Sequence, residues 1–182
     1  MTMTIAPRYR LPVAIAASVA VVLIVLVAVL VSGGGNPTPT TPPSPTASSS
    51  ADPGATPEGA VRAFFEAYAK ARQSDDPSGV EPFVTSKTSS AYLSAAGFLR
   101  GQKEKGKASV TTVLRLENMS TKTSTDGTAN VTFDYTEGGY NIDPATGSAL
   151  ESPAVLPVVK VTVILHQLGG RWLVDAYQTQ TP

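Results

Sequence analysis

The sequence VTVILHQLGGRWLVDAY, at residues 161–177, consists of two β-rich apolar runs separated by a pair of glycines. β-Branched and aromatic residues favour strands, and a two-residue glycine loop is typical of a tight hairpin turn. We therefore predict an antiparallel hairpin that turns at Gly169-Gly170. In that register, Leu168 pairs with Arg171, Leu165 with Val174 and Val163 with Ala176.

Alternation along this hairpin divides its side chains between two faces of the sheet. The more apolar face, which we expect to pack on helices, carries Val161, Val163, Leu165, Trp172, Val174 and Ala176. The opposite face mixes aliphatic, aromatic and polar groups, a composition that suits contact with another protein. Its candidate interface residues are Ile164, His166, Arg171, Leu173, Asp175 and Tyr177. A one-residue bulge would exchange the two faces.

Two helices and two further strands are predicted upstream of the hairpin. The first helix has Thr56 as its N-cap and Pro57 in its first turn, and its apolar residues recur every three or four positions as far as about Arg72. A second helical pattern covers residues 88–105. Strands follow around 110–117 and 130–135, joined by a turn at 125–127. Helices followed by sequential strands indicate an α+β domain, with the helices packed on a curved four-stranded antiparallel sheet.

The opening VRAFFEAYAKA helix, the second helix and the closing G-x-W-x-V-D-like strand resemble the SnoaL-like or nuclear-transport-factor-two-like superfamily. The resemblance covers residues from about 57 to 180 and implies a cone of helices against a strongly curved sheet. Members of this superfamily include isomerases, cyclases, transport factors and membrane-tethered secretion subunits. The resemblance therefore implies a fold and does not choose a function.

Catalytic side chains are scarce in this pattern. The candidate lining of a cone pocket is Tyr68, Tyr92, Phe98 and Trp172, and no acid falls on the predicted apolar faces. His166 is the only histidine, and it lies on the polar face beside Asp175. The chain has no cysteine, a single histidine and, apart from Asp75-Asp76 in a loop, no clustered acids, so we expect no metal site and no cofactor. Its 14 basic and 14 acidic residues give no field that would attract nucleic acid.

The N-terminal third predicts a membrane anchor. Residues 11–31 carry no charge and, as a helix, would span roughly 30 Å, the thickness of the hydrocarbon core. Arg8 and Arg10 precede this run, so the positive-inside rule places residues 1–10 in the cytoplasm. Residues 32–56, rich in Pro, Thr and Ser, are typical of a disordered linker, and 57–182 form the exported domain. A cleaved signal peptide is the alternative for the apolar run.

These observations favour a single-pass protein of the cell membrane with a non-catalytic extracytoplasmic interaction domain. We expect a protein partner, or self-association, through the sheet face. An accessory subunit of an envelope transport or secretion assembly is one such role. The alternatives are a small-molecule isomerase or hydrolase and a domain that binds an apolar ligand in the cone pocket.

Overall fold

The computed structural model describes residues 52–180. Helix α1 (Pro57–Ser74) and helix α2 (Ser90–Glu104) are followed by strands β1 (Ala108–Thr123), β2 (Thr128–Ile142), β3 (Ala154–Val155), β4 (Val159–Leu168) and β5 (Arg171–Gln180). Two 3₁₀ segments, Pro53–Ala55 and Pro77–Phe83, lie before α1 and between the helices. The predicted α+β order is confirmed, with one short additional strand in the excursion that follows β2.

Both helices begin where their capping residues stand. The backbone N–H of Gly59 donates to Thr56 Oγ1 at 3.1 Å, and the N–H of Tyr92 donates to Ser89 Oγ at 3.2 Å. These hydrogen bonds satisfy backbone donors that a first helical turn leaves free. Helix α1 ends at Ser74, and the C-cap residue Asp75 has a left-handed backbone with a φ of 52°. The N-cap predicted at Thr56 is therefore confirmed.

The sheet is antiparallel in the order β1-β2-β4-β5, and β3 pairs with β2. Register shifts interrupt β1 between Thr111 and Val113 and again between Glu117 and Ser120. Bulges of this kind bend a strand and increase its twist. They give the sheet the curvature with which it wraps α1.

The closing hairpin turns at Gly169 and Gly170, which have φ values of 59° and 82°, as the glycine pair predicts. The predicted pairs Leu168 with Arg171 and Leu165 with Val174 are confirmed. The third predicted pair is wrong, because the register shifts between Ile164 and Leu165 and Val163 pairs with Tyr177.

Asp175 is the extra residue of this bulge, since Val174 pairs with Leu165 and Ala176 pairs with Ile164. The bulge leaves Trp172 and Val174 on the helix side, as predicted, but it reverses the strand beyond them. Tyr177 therefore packs against the core, and Ala176 takes the opposite face. The assignment of Tyr177 to the outer face was wrong for this reason.

The core lies between α1 and the concave side of the sheet. Phe65 makes edge contacts with Phe133 at 5.6 Å between ring centroids. The largest fully buried side chains are Phe64, Phe133, Leu99, Leu165, Val61, Val80, Val131, Val161, Val163 and Val174. The interior of the domain is thus filled by hydrocarbon.

Residues 52–56, which the sequence assigns to the linker, are attached to the domain. Asp52 caps the Pro53–Ala55 turn by accepting from the Gly54 N–H, and it forms an ion pair with Arg171 at 2.9 Å. Within residues 52–180, none of the helices is long and apolar enough to span a bilayer. The predicted span at 11–31 and the rest of the predicted linker lie outside the described residues.

Candidate functional site

The open end of the concave face carries a group of three tyrosines, Tyr68, Tyr135 and Tyr177, here called the tyrosine cluster. Tyr68 comes one helical turn after Phe64, and their rings stack at 6.3 Å. Tyr135 follows Phe133 by two residues on β2, so both point inward. Tyr177 arrives from β5 through the Asp175 bulge and lies 5.8 Å from Phe64.

An ion pair between Arg72 and Glu137 covers the tyrosine cluster. Arg72 lies one turn beyond Tyr68 on α1, and its guanidinium stands over the Tyr68 ring at 5.9 Å and the Phe98 ring at 5.2 Å. Glu137 accepts a hydrogen bond from the Tyr135 hydroxyl at 2.7 Å. Only 16% of the Arg72 side chain and 14% of the Glu137 side chain are exposed. The Arg72 guanidinium and the Tyr135 hydroxyl therefore both already bind the Glu137 carboxylate.

The tyrosine hydroxyls remain protonated well above neutral pH. Burial raises the pKa of Tyr135 to about 12 and raises the pKa values of Tyr68 and Tyr177. A phenol in this state donates hydrogen bonds and does not act as a base. The site can therefore orient a ligand by hydrogen bonding, whereas proton abstraction would need a free carboxylate or imidazole.

A cavity of about 260 Å³ opens beside this ion pair. It is lined by Arg72, Phe98, Ser109, Val110, Glu137, Gly138, Gly139, Tyr140, Asn141, Glu151, Ala154 and Leu156. Among the described residues, no three acidic or histidine side chains are placed to hold a metal ion. The charged side chains of the cavity are Arg72, Glu137 and Glu151; Arg72 and Glu137 bind each other, and Glu151 accepts hydrogen bonds from Asn141.

Two of the four predicted pocket residues meet at this site. Tyr68 contacts Phe98 edge-on at 6.1 Å, and 46% of Phe98 remains exposed. Tyr92 instead donates to Glu81 at 3.4 Å, and Trp172 is buried in the core beside the β4–β5 turn. The sequence reading missed Arg72, Tyr135 and Glu137. Their inward positions on α1 and β2 continue the stripes of Phe64 and Phe133.

The predicted interface residues of the hairpin have different surroundings. Ile164, His166 and Leu173 lie half-buried on the outer face of the sheet. Arg171 is committed to Asp52, and the carboxylate of Asp175 accepts from the Thr85 hydroxyl at 2.6 Å. The polar residues on this face are paired too, since Lys160 binds Asp134 and Thr132 bonds to Thr162.

A more apolar surface lies on the segment that follows β2. Four of its aliphatic side chains, here called the apolar ridge, are about half exposed or more: Leu150 at 49%, Val155 at 62%, Leu156 at 60% and Val158 at 58%. The segment is held in place by backbone hydrogen bonds, from the Leu150 N–H to Asn141 O and from the Leu156 N–H to Glu137 O, each at 2.8 Å. The ridge is therefore a fixed surface that borders the Arg72–Glu137 cavity.

Comparison with known proteins supports the fold. No family model matches the sequence, and no curated protein matches it. The intermembrane space region of the chloroplast protein ARC6 is similar in structure, with a TM-score of 0.53 and 12% identity, over 69% of this chain and 94% of that one. A nuclear transport factor 2-like superfamily protein from Salmonella enterica serovar Typhimurium has a TM-score of 0.48 and 11% identity, over 67% and 88%. ActVI-ORFA from Streptomyces coelicolor has a TM-score of 0.47 and 12% identity, over 68% and 93%.

At these identities the likeness is one of fold. Helices packed on an open antiparallel sheet were expected from the resemblance to the SnoaL-like superfamily, and this architecture is confirmed. One fold hosts many chemistries, so the likeness is compatible with both a catalytic and a non-catalytic role. Function has to be argued from the side chains.

Proposed function

We propose that this chain is a non-catalytic, single-pass membrane protein whose extracytoplasmic domain binds a protein partner. The role that fits this description is an accessory subunit of an envelope transport or secretion assembly. The observation that carries the proposal is the apolar ridge.

The ridge has the composition of a docking surface. Four large aliphatic side chains are exposed within the nine residues 150–158, and the single charged residue among these nine, Glu151, is hydrogen-bonded to Asn141. Leu156 and Val158 also line a second, largely apolar cavity of about 360 Å³, together with Tyr135. Exposed apolar patches on a folded domain mark sites of interaction, because covering them releases unfavourably ordered water.

The interior argues against catalysis. Phe64 and Phe133 are fully buried and fill the interior between α1 and the sheet. Glu137, the acid at the open end, is shared between the Arg72 guanidinium and the Tyr135 hydroxyl. His166 lies on the far side of the sheet. Among the described residues, the two acids that line the cavity beside the tyrosine cluster, Glu137 and Glu151, both already accept hydrogen bonds within the domain.

The proposed membrane location and orientation rest on the N-terminal sequence. Residues 11–31 are uncharged, Arg8 and Arg10 precede them, and the next charge is Asp52. A charge distribution of this kind favours a cytoplasmic N-terminus and an exported C-terminal domain. The intact chain should therefore fractionate with membranes, and recovery of the full-length protein in the soluble fraction would contradict this part of the proposal.

The experiment is affinity purification of the full chain from crosslinked membranes. Leu156→Asp places a charge at the centre of the ridge and should weaken partner binding at least about fivefold, since losing one well-packed anchor costs about 1–3 kcal/mol. Leu93→Asp is the matched control, because Leu93 is 58% exposed on α2. Leu173→Asp tests the sheet face that the sequence first suggested.

Three outcomes are informative. Loss of the partner only with Leu156→Asp supports the ridge, whereas loss only with Leu173→Asp moves the interface to the sheet. An unchanged interaction profile in all three variants, or turnover of a metabolite by the purified chain, contradicts the proposed function.

A second candidate function is the binding of a small ligand beside the tyrosine cluster. The cavity of about 260 Å³ favours it, because an arginine and an exposed Phe98 ring converge there. A ligand whose acidic group displaces Glu137 from Arg72 would raise the melting temperature of the wild-type chain. It would not raise the melting temperature of the Arg72→Met variant, which lacks the guanidinium. Absence of any such shift across a library of organic acids would remove this candidate.

A further inference from the structure

We infer that a shallow cavity at the C-terminal end of α2 binds a sugar that carries an acidic group, either a carboxylate or a phosphate. The cavity has a volume of about 340 Å³. Its lining from α2 and the residues that follow this helix consists of Gly97, Phe98, Gly101, Gln102, Lys105 and Lys107. No side chain of the apolar ridge lines it, so this inference is independent of the proposed protein partner.

Two glycines one helical turn apart leave space above the helix backbone. Gly97 and Gly101 both lie inside α2, where glycine weakens a helix relative to alanine. A Cβ on either residue would meet no atom within 4 Å outside its own stretch of helix, so packing within the domain does not require glycine there. The Phe98 ring beside them is 46% exposed. Open backbone next to an exposed aromatic ring offers a flat apolar surface to the C–H face of a sugar.

The cavity lining also contains a polar side chain with an unused acceptor. Gln102 is 9% exposed, and its Nε2 donates to Ser109 Oγ. Ser109 Oγ in turn donates to Asn141 Oδ1 at 2.8 Å, so the Gln102 amide nitrogen is committed to this network. Gln102 Oε1 is left with no hydrogen-bond donor among the described residues. Buried polar groups normally have partners, and a ligand hydroxyl is the donor that this oxygen lacks.

The positive charge at the cavity is available to a ligand. Lys105 and Lys107 are exposed, and neither forms an ion pair within residues 52–180. The last carbonyls of α2 do not need these ammonium groups, because the Gln102 and Lys103 carbonyls accept from the backbone N–H groups of Lys105, Gly106 and Lys107. Both lysines can therefore bind an anion.

No acidic side chain of the described domain lines this cavity. Glu151 is hydrogen-bonded to the lining residue Asn141, but its carboxylate belongs to the separate cavity beside Arg72. The site thus combines two ammonium groups for an anion, an amide oxygen for a hydroxyl and an aromatic ring for an apolar face. A neutral sugar would leave the lysines unused, and an inorganic anion would leave Gln102 and Phe98 unused. A sugar with an acidic substituent uses all of these groups.

Isothermal titration calorimetry of the full-length chain in phosphatidylcholine nanodiscs tests the inference. The acidic probes are trigalacturonic acid, a hyaluronan tetrasaccharide and mannose 6-phosphate, and maltotriose and inorganic phosphate are the control ligands. Lys105→Gln combined with Lys107→Gln removes the charge of the cavity, and Gly101→Leu fills the space above the helix. The matched control, Arg100→Gln combined with Lys103→Gln, removes the same charge from α2 outside the cavity lining.

We expect at least one acidic sugar to bind. Its affinity should fall at least about tenfold in the Lys105/Lys107 variant and in Gly101→Leu, because charge-assisted hydrogen bonds and the space for the ring are lost, and it should stay unchanged in the control variant. Emission from the single Trp172 verifies that each variant is folded.

Equal losses in the two charge variants would show general charge attraction and would overturn the inference. Equally tight binding of maltotriose or of inorganic phosphate, or no binding of any of the three acidic sugars, would overturn it as well. None of these results would bear on the proposed function, because the ridge variant Leu156→Asp is tested separately.

Discussion

Breaking the Arg72–Glu137 ion pair from one side should cost more than removing it altogether. Glu137→Gln keeps the shape of the side chain and an acceptor for the Tyr135 hydroxyl, but it leaves the Arg72 charge unpaired. Only 16% of Arg72 is exposed, and its Nε already lacks a hydrogen-bond partner. The loss of one member of a buried pair costs about 3–5 kcal/mol, and the partial exposure here favours the lower end, about 3 kcal/mol.

The converse variant, Arg72→Met, keeps the hydrocarbon that covers the Tyr68 and Phe98 rings but strands the Glu137 carboxylate. We expect a similar loss of about 3 kcal/mol. In the double variant no charge is left unpaired, and the aromatic contacts and the Tyr135 hydrogen bond persist. Its destabilisation should be only about 1 kcal/mol, the usual net contribution of a satisfied polar interaction.

Urea denaturation followed by Trp172 emission measures all three values, because Trp172 is 8% exposed in the folded domain. The double-mutant cycle isolates the coupling between the two residues. The expected coupling is several kcal/mol, with the double variant more stable than either single variant. A double variant whose loss equals the sum of the two single losses would refute the reasoning, because it would mean that solvent already screens each charge.

Three other predictions concern backbone packing, alkaline stability and the N-terminal attachment. Gly139→Ala should destabilise the domain by about 1–3 kcal/mol, because a Cβ at this position would overlap the Val110 carbonyl of β1. Gly97→Ala on α2 is the control: its Cβ meets open space, and it should stabilise the domain by up to about 1 kcal/mol. Thermal unfolding measures both effects, and equal effects would contradict the strand geometry. Burial raises the folded-state pKa values of the tyrosine cluster above the unfolded value near 10, and it raises that of Tyr135 to about 12. The stability that these protonated hydroxyls contribute is therefore complete below pH 10 and is lost as the pH rises from 10 towards 12. Tyrosinate absorbance should rise together with unfolding, and full ionisation in a still folded domain would contradict the prediction. Arg171→Ala should change global stability by less than about 1 kcal/mol, because its ion pair is exposed, yet it should increase proteolysis near Asp52; unchanged cleavage there would show that the pair does not hold the segment.

The helices and strands could be predicted from the sequence because local signals specify them. Thr56 and Pro57 mark the start of α1, the apolar period follows one face of that helix, and Gly169-Gly170 sets the hairpin turn. Each signal acts within a few residues. Burial of the alternating valines of β4 follows from the same pattern.

The candidate site was harder to predict from the sequence, because the position of Tyr177 depends on one bulge residue, Asp175. Nothing in the composition around Asp175 distinguishes a bulge from a regular strand, yet the bulge decides whether Tyr177 or Ala176 faces the core. The pairing of Arg72 with Glu137 joins residues 65 positions apart through the β2 register. Such long-range matches arise from the assembled sheet and leave no spacing signature in the chain.

The ion pair between Asp52 and Arg171 also determines how the domain responds to traction. A pull on the N-terminal segment reaches this exposed pair and the Pro53–Ala55 turn before it loads helix α1. Because the pair is solvated, it can open and reform without disturbing the hydrocarbon beneath α1. Small forces therefore extend residues 52–55 reversibly. Tension reaches the packed aromatic rings only after this segment is fully extended.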